Sequence, residues 1–123
     1  MTQDIIGVDI AKDWIDIHPL STGRGKRIAA TRSALARFAA QSAGSLLVLE
    51  ASGGYERPLT EALSTAGCAF SRVNPRQARE FARATGRLAK TDRVDAAMLA
   101  EMGRALRLKP SPPTLRSGSD WPT

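Results

Sequence analysis

The chain has little of what several protein classes require. Its 123 residues include one cysteine, Cys68, and one histidine, His18. A single cysteine excludes an internal disulfide and a cysteine-based zinc cluster. Because Cys68 falls in an apolar stretch, we expect it to have a buried packing role. No apolar run approaches the roughly 20 residues of a membrane-spanning helix, and the N-terminus has no basic-then-apolar signal pattern. Together these absences predict a cytoplasmic protein. Aromatic residues make up only 5% of the chain, so recognition of single strands by base stacking is not predicted.

The residues that are present describe a compact, basic domain. Hydrophobic residues make up 42% of the chain, which is enough for a packed core. Lysine and arginine outnumber the acids by 18 to 12, giving a net charge of +6. This excess favours an anionic partner, with nucleic acid ahead of a membrane surface.

Strand and helix patterns alternate along the chain. Two strands joined by a turn are predicted in "DIIGVDIAKDWIDIHPL", and a short third strand in "RIAA". A helix capped by Ser33 follows, then a strand in "SLLVLE" whose unbroken apolar run indicates burial on both faces. The next helix has Pro58 in its first turn, and a strand in "CAFSRV" leads to a helix that begins at Asn74 and Pro75. The predicted fold class is a mixed α/β sheet flanked by helices.

Two aspartates stand where the last helix is predicted to begin. A helix from about Thr91 to Leu108 would place Asp92 and Asp95 on the same face as Leu99, Met102 and Leu106. One interpretation is purely structural: Asp92 caps the helix and Asp95 is an acid of its first turn. The other interpretation is that the two acids belong to a site.

Two further acids occupy unusual positions on predicted core strands. Asp9 lies between Val8 and Ile10, and Glu50 directly follows a buried apolar run. Each is compatible with an ordinary acid at a strand end. However, buried carboxylates are costly unless paired, and gathered carboxylates repel one another unless cations lie among them. Two Mg²⁺ or Mn²⁺ ions held by these four acids would satisfy both requirements and support phosphodiester cleavage.

Longer motifs carry a resemblance to a known family. "GVDIAKDWIDI", "LEASGGYERPL" and "VNPRQAREFARATGRLAKTDRVDAAMLAEMGR" resemble the N-terminal domain of the DEDD transposases of insertion sequences, of the insertion-sequence 110 type. That resemblance implies a ribonuclease-H-like, RuvC-like fold. It also implies that Asp9, Glu50, Asp92 and Asp95 bind divalent metal and carry DNA strand cleavage and transfer.

The resemblance has consequences for domains and partners. It covers the chain to about Leu108, so we expect a RuvC-like domain over residues 1–108. The proline-rich residues 109–123 are predicted to form a disordered or loosely attached tail. Members of the family continue into a C-terminal domain with a serine implicated in strand exchange, and this chain is expected to lack that domain. DNA, a structured guide RNA from the element and homo-oligomerisation of the full-length enzyme are implied as partners.

Five basic residues recur at intervals of three and four. The residues are Arg76, Arg79, Arg83, Arg87 and Lys90, which we call the basic stripe. On one continuous helix they would lie on one side, with Phe81 and Thr85 on the opposite side. A helix break at Gly86 would bend the stripe. Such a stripe suits a phosphate backbone. The alternative is a solvated helix face.

Three functions fit these patterns to different degrees. The first is a transposase fragment acting by metal-dependent phosphoryl transfer, and the second is a non-catalytic nucleic-acid-binding module with the same fold. The third, an actin-like sugar kinase or ATPase, requires a glycine- and threonine-rich turn after the first strand. The chain has "IAKDW" there, which disfavours this third function.

Overall fold

The computed structural model describes residues 3–51, 54–86 and 94–111. Within them, strands and helices follow one another as β1 (Ile5–Ile10), β2 (Trp14–Pro19), β3 (Lys26–Ala29), α1 (Arg32–Gln41), β4 (Leu46–Glu50), α2 (Arg57–Thr65), β5 (Ala69–Val73), α3 (Pro75–Ala84) and α4 (Ala96–Ala105). None of the helices in these ranges is long and apolar enough to cross a membrane.

The five strands form one mixed sheet in the order β3-β2-β1-β4-β5. β1, β2 and β3 make an antiparallel meander, while β1, β4 and β5 run parallel. The predicted turn at "AKD" closes the first hairpin, where the Ala11 amide donates to the Trp14 carbonyl at 2.9 Å. The predicted mixed α/β sheet is therefore confirmed, including its short third strand.

Two apolar clusters cover the two faces of the sheet. One unites Val8, Leu47 and Leu49 with residues of α1 and α2, and the other unites Val48 with residues of α3 and α4. The alternation of Leu47, Val48 and Leu49 between the clusters shows that β4 is buried on both faces, as its unbroken apolar run predicts. The sheet thus lies between two helical layers.

The helix starts follow local capping chemistry. Asn74 caps α3, its side chain accepting a hydrogen bond from the Arg76 amide, and Pro75 occupies the first helical position, as predicted. The prediction that Ser33 caps α1 is wrong. Thr31 is the cap and accepts from the Ala34 amide at 3.3 Å, which places Ser33 inside the first turn.

Two glycines let α4 lie directly on the sheet. A Cβ at Gly7 of β1 would collide with the backbone of Ala96 and lie 2.6 Å from the Ala100 nitrogen. A Cβ at Gly103 would lie 2.7 Å from a methyl of Val48. Because Gly7 meets the first half of α4 and Gly103 meets Ile5 as well as Val48, the helix runs antiparallel to β1. Its N-terminus therefore lies over the carboxyl end of β1.

Both ends of α4 differ from the predicted span of Thr91 to Leu108. Val94 and Asp95 are not helical, because the Asp95 side chain bonds to the Met98 amide and so caps a helix that begins at Ala96. At the other end the Leu108 amide bonds back to the Gly103 carbonyl across Arg107, whose φ is 50°. This closure leaves Leu106 outside the helix and exposed, so its predicted place on the buried face is wrong.

Two smaller predictions concern Cys68 and the tail. Cys68 is buried, its thiol donates to the Ala39 carbonyl, and burial raises the pKa of that thiol, consistent with the predicted packing role. Of the predicted tail, residues 109–111 are described: the Ser111 amide donates to the Phe70 carbonyl, and the Ser111 hydroxyl accepts from the Arg72 amide. Residues 112–123 lie outside the described residues, so the tail stays a prediction.

Candidate active site

Charged residues form a row across three neighbouring strands. Asp9 of β1 is paired directly with Asp16 of β2, and Asp16 is paired with Arg27 of β3. Residues paired in this way point to the same face of a sheet. Since Val8 and Ile15, next to the two acids, belong to the cluster under α1 and α2, the row lies on the other face, the one that carries α4.

An arginine compensates one of the two paired acids. Arg27 binds Asp16 through two hydrogen bonds, from Nε to Oδ1 at 2.8 Å and from Nη2 to Oδ2 at 3.1 Å. Its guanidinium also lies over the Trp14 ring, 4.4 Å from the centroid. The hydrogen bond to Asp16 raises the pKa of Arg27, and the charges of Asp16 and Asp9 add to this. The acids of the row are therefore partly neutralised from the β3 side.

The N-terminus of α4 closes this row into a cleft. The cleft has a volume of about 360 Å³, and it is bordered by both polar strand residues and the start of α4. We call it the acidic cleft; its polar lining consists of Asp9, Asp16, His18, Lys26, Arg27 and Asp95. Of these, Asp9 is half-buried and Asp95 is exposed. Two of the four acids singled out from the sequence, 86 positions apart by their numbers, thus line one cleft.

Glu50 lies at the same end of the sheet on the adjacent strand. Val8 of β1 pairs with Leu49 of β4, so Asp9 and Glu50 are the next residues on two parallel strands. Glu50 is paired with Val73, which belongs to the cluster under α3 and α4, so its side chain is on the α4 face as well. Glu50 is half-buried and does not line the acidic cleft itself.

Asp92 lies outside the described residues. Within the ranges that the structure describes, no three histidine, cysteine, aspartate or glutamate side chains are arranged to hold a metal ion. The donor chemistry of Asp9, Glu50 and Asp95 is nevertheless that of hard divalent cations, which prefer carboxylate oxygens. The four-acid metal site therefore stays a prediction, with Asp92 as its unplaced member.

Sequence reasoning missed four of the six polar residues that line the acidic cleft. Asp16, His18, Lys26 and Arg27 border it, and none of them was singled out as a site residue. The sequence did contain a signal for Asp16. In a tight hairpin, two residues with the spacing of Asp9 and Asp16 lie directly opposite each other on the two strands. The residues that β3 contributes to the cleft could not be predicted from the sequence, because the register of β3 depends on the loop between β2 and β3.

Asp95 has a structural role that a conservative substitution can separate from metal binding. Asparagine caps helices as well as aspartate does, but it carries no charge and is a weaker ligand. We expect Asp95→Ala to lower the free energy of unfolding by about 1 kcal/mol in EDTA, and Asp95→Asn to leave it nearly unchanged. Thermal unfolding with and without Mn²⁺ measures both. If Asp95 is a ligand, Asp95→Asn loses metal-induced stabilisation; an unaltered metal shift in this variant would leave Asp95 a cap only.

The basic stripe is partly described. Arg76, Arg79 and Arg83 are exposed on α3, while Ala78 and Ala82 form its buried side and Phe81 packs against the same cluster. The continuous helix assumed for the stripe does not exist, because α3 ends at Ala84 and Gly86 has a φ of 73°. A left-handed residue of this kind terminates a helix.

Two other members of that prediction have different outcomes. Thr85, predicted with Phe81 on the side opposite the basic residues, is the exposed C-cap residue of α3. Arg87 and Lys90 lie outside the described residues. The stripe is therefore reduced, in the described part of the chain, to the three exposed arginines of α3.

Comparisons with known proteins agree with this architecture. The chain is similar to two structures of Thermus thermophilus RuvC, one titled as RuvC in complex with a Holliday junction substrate, at 11% identity, and the other as RuvC, at 12%. Each match has a TM-score of 0.60 and covers 89% of this chain and 100% of the RuvC chain. The predicted RuvC-like, ribonuclease-H-like fold is thereby confirmed.

The family follows from the sequence match. A search of proteins with curated functions finds no match to the chain. The sequence model of the DEDD transposases of the insertion-sequence 110 type, whose description is "Transposase", matches residues 6–117, which is most of the chain. The chain therefore belongs to the DEDD transposase family of the insertion-sequence 110 type.

Proposed function

We propose that this chain is the N-terminal catalytic part of a DNA transposase and that it cleaves and transfers DNA strands in a metal-dependent reaction. The observation that carries the proposal is the meeting of Asp9 and Asp95 in the acidic cleft of a RuvC-like sheet. Family membership supports the transposition chemistry. The complex of the similar RuvC protein with a Holliday junction substrate supports DNA as the substrate.

The residues proposed to hold the metal are Asp9, Glu50, Asp92 and Asp95, with Mg²⁺ or Mn²⁺ as the ion and two ions as the expected number. When bound, such ions supply an activated water and charge stabilisation for the leaving oxygen of a phosphodiester. The carboxylate oxygens of the chain bind and orient the ions. Placement of Asp9 and Glu50 on adjacent parallel strands, beside the N-terminus of α4, supports a shared role for these acids.

The α4 N-terminus has a second use in this proposal. The first amides of a helix carry partial positive charge and attract anionic groups. The Met98 amide already donates a hydrogen bond to the Asp95 side chain, so only the other amides of the first turn can attract an anion. The backbone therefore helps to orient a phosphate, while the cleft acids remain responsible for the ions.

Family membership supports three partners as further parts of the proposal. These are DNA, a structured guide RNA from the element, and additional copies of the full-length enzyme. The proposed domain organisation is a RuvC-like unit over residues 1–108 followed by a tail.

The alternative is a nucleic-acid-binding module that keeps the fold without activity. It would need only the fold and the exposed arginines of α3, Arg76, Arg79 and Arg83, and none of the acids. Incubation of the chain with a labelled four-way DNA junction and Mn²⁺ separates the two functions. Cleavage that EDTA abolishes supports the transposase domain, whereas binding without cleavage by the chain under all metal conditions supports the module.

The exposed arginines of α3 are proposed to contact DNA phosphates. Each phosphate contact contributes about 0.9 to the slope of log K against log salt. We expect the double variant Arg79→Ala, Arg83→Ala to flatten that slope by up to about two units without altering sequence preference. The matched control removes two exposed arginines from α1 in the other helical layer, Arg32→Ala with Arg37→Ala. Equal slopes for the two double variants would identify the stripe as a solvated face.

A further inference from the structure

We propose that Arg27 binds a phosphate of the nucleic acid strand at the acidic cleft, with Trp14 holding its guanidinium in place. This inference rests on the proposed function, because it names a contact between the same site and its substrate. It adds residues of the β2–β3 hairpin, which lie apart from the basic stripe on α3, to the nucleic-acid-binding surface.

The geometry of Arg27 leaves it able to bind a second anion. A guanidinium has five N–H donors. The hydrogen bonds to Asp16 use one on Nε and one on Nη2. The side chain is 59% exposed, so donors beyond those two reach solvent at the border of the cleft. A planar guanidinium with one edge on a carboxylate can therefore present the remaining edge to phosphate oxygens.

The negative charge of the acidic cleft explains why a substrate would need this contact. Asp9, Asp16 and Asp95 line the cleft, and a phosphodiester approaching three carboxylates is repelled. Lys26 and Arg27 of β3 also line the cleft, but only Arg27 has its side chain on the face of the acids, because Lys26 is paired with Ile17 of the opposite cluster. A substrate phosphate that enters from the β3 side meets Arg27 first, with Asp16 already neutralised by it.

Trp14 acts on substrate through Arg27 and is a positioning residue. Its ring centroid lies 4.4 Å from the guanidinium carbon, and Trp14 itself is 39% exposed. The carboxylate of Asp16 and the indole face together restrict the guanidinium to one plane. A cation held in this way loses less conformational freedom when a phosphate binds.

The test is binding of a synthetic four-way DNA junction by the full chain in EDTA, measured over a range of salt concentrations. We expect Arg27→Gln to weaken binding about tenfold at low salt and to flatten the salt slope by about 0.9. The matched control is Arg104→Gln. Arg104 is also 59% exposed and also makes two hydrogen bonds to a carboxylate, that of Glu101, but it lies at the opposite end of α4. Its variant should bind as the unmodified chain does.

A double variant distinguishes a phosphate contact from simple charge neutralisation. If Arg27 only neutralises Asp16, then Asp16→Asn with Arg27→Gln restores both affinity and slope. If Arg27 binds phosphate, the double variant keeps the reduced slope. Trp14→Leu should weaken binding about threefold, and Trp14→Phe should restore most of that loss because the aromatic face is retained.

The outcomes separate this inference from the proposed function. Restoration in the double variant, or equal effects of Arg27→Gln and Arg104→Gln, overturns the contact while leaving a DNA-binding enzyme. Failure of the unmodified chain to bind the junction both in EDTA and in Mn²⁺ overturns the proposed function and the contact together; if the chain binds only in Mn²⁺, the variants are compared there.

Discussion

Replacement of Asp9 by asparagine is expected to abolish Mn²⁺-dependent cleavage of a DNA junction. The substitution keeps the size of the side chain but removes the charge that would hold a divalent cation in the acidic cleft, which Asp9 lines. Metal ions contribute several kcal/mol of transition-state stabilisation, and each 1.36 kcal/mol is a factor of ten in rate. We therefore expect a loss of about a thousandfold or more, measured as the initial rate of product formation.

Thermal unfolding provides a second readout that does not require activity. A ligand that binds only the folded chain stabilises it by about 1.4 kcal/mol at ten times its Kd. We expect Mn²⁺ to raise the unfolding temperature of the unmodified chain and to have little effect on Asp9→Asn. In EDTA the variant should be as stable as the unmodified chain or slightly more stable, because one of several neighbouring carboxylates has been removed.

A matched control for Asp9→Asn lies directly across the hairpin. Asp16 is the cross-strand partner of Asp9, and both its oxygens accept hydrogen bonds from Arg27. We expect Asp16→Asn to keep the metal-induced shift, since Asp16 is committed to the arginine. Asp92→Asn, outside the described residues, is expected to respond as Asp9→Asn does. Identical metal-induced shifts in the unmodified chain and in the Asp9 and Asp92 variants would exclude these acids as ligands.

The outline of the fold was predictable because its signals are local. Unbroken or alternating apolar runs, the proline after Asn74 and the turn at "AKD" each depend on a few consecutive residues. The prediction of Ser33 as the N-cap of α1 was wrong, since Thr31 is the cap. Both residues carry a hydroxyl that can cap a helix, and the local sequence does not determine which of them precedes the first turn. Similarly, Asp95 stays outside α4 because its side chain accepts a hydrogen bond from the Met98 amide and so caps the helix.

The site was predictable as a set of residue types but not as an arrangement. Asp9 and Glu50 were recognisable because carboxylates are unusual within apolar strands, and the strand order that makes them neighbours is a property of the whole sheet. The pairing of Asp16 with Arg27 depends on a register set across the loop between β2 and β3. No pattern within either strand reveals it.

The close packing of α4 on β1 leads to the largest expected loss of stability. We expect Gly7→Ala to destabilise the fold by about 3 kcal/mol or more, an effect in the range of overpacked cores. A Cβ at this position meets backbone atoms of Ala96 and Ala100, and a helix backbone cannot rotate away as a side chain can. The helix must move off the sheet, which carries Asp95 away from Asp9 and opens the acidic cleft.

Two other glycines, Gly103 and Gly25, are expected to lose less stability than Gly7 when replaced by alanine. A Cβ at Gly103 meets methyl groups of Val48 and Ile5, which can shift, so Gly103→Ala should cost less, about 1–2 kcal/mol. At Gly25, near the start of β3, the nearest atom is a carbonyl oxygen 3.6 Å away, an ordinary contact, so Gly25→Ala should be nearly neutral. Urea unfolding of the three variants measures the order, and circular dichroism establishes that each variant is folded before denaturation.

A metal titration then connects this packing to function. If Asp95 reaches the metal only because α4 lies on Gly7, folded Gly7→Ala protein should bind Mn²⁺ more weakly than Gly103→Ala protein. The reason is that the collision at Gly7 lies in the first half of α4, next to its cap, whereas that at Gly103 lies near its other end. Equal stability of Gly7→Ala and Gly25→Ala would contradict the close approach itself. Unequal stability with equal Mn²⁺ affinity would show that the N-terminus of α4 does not set the geometry of the metal ligands.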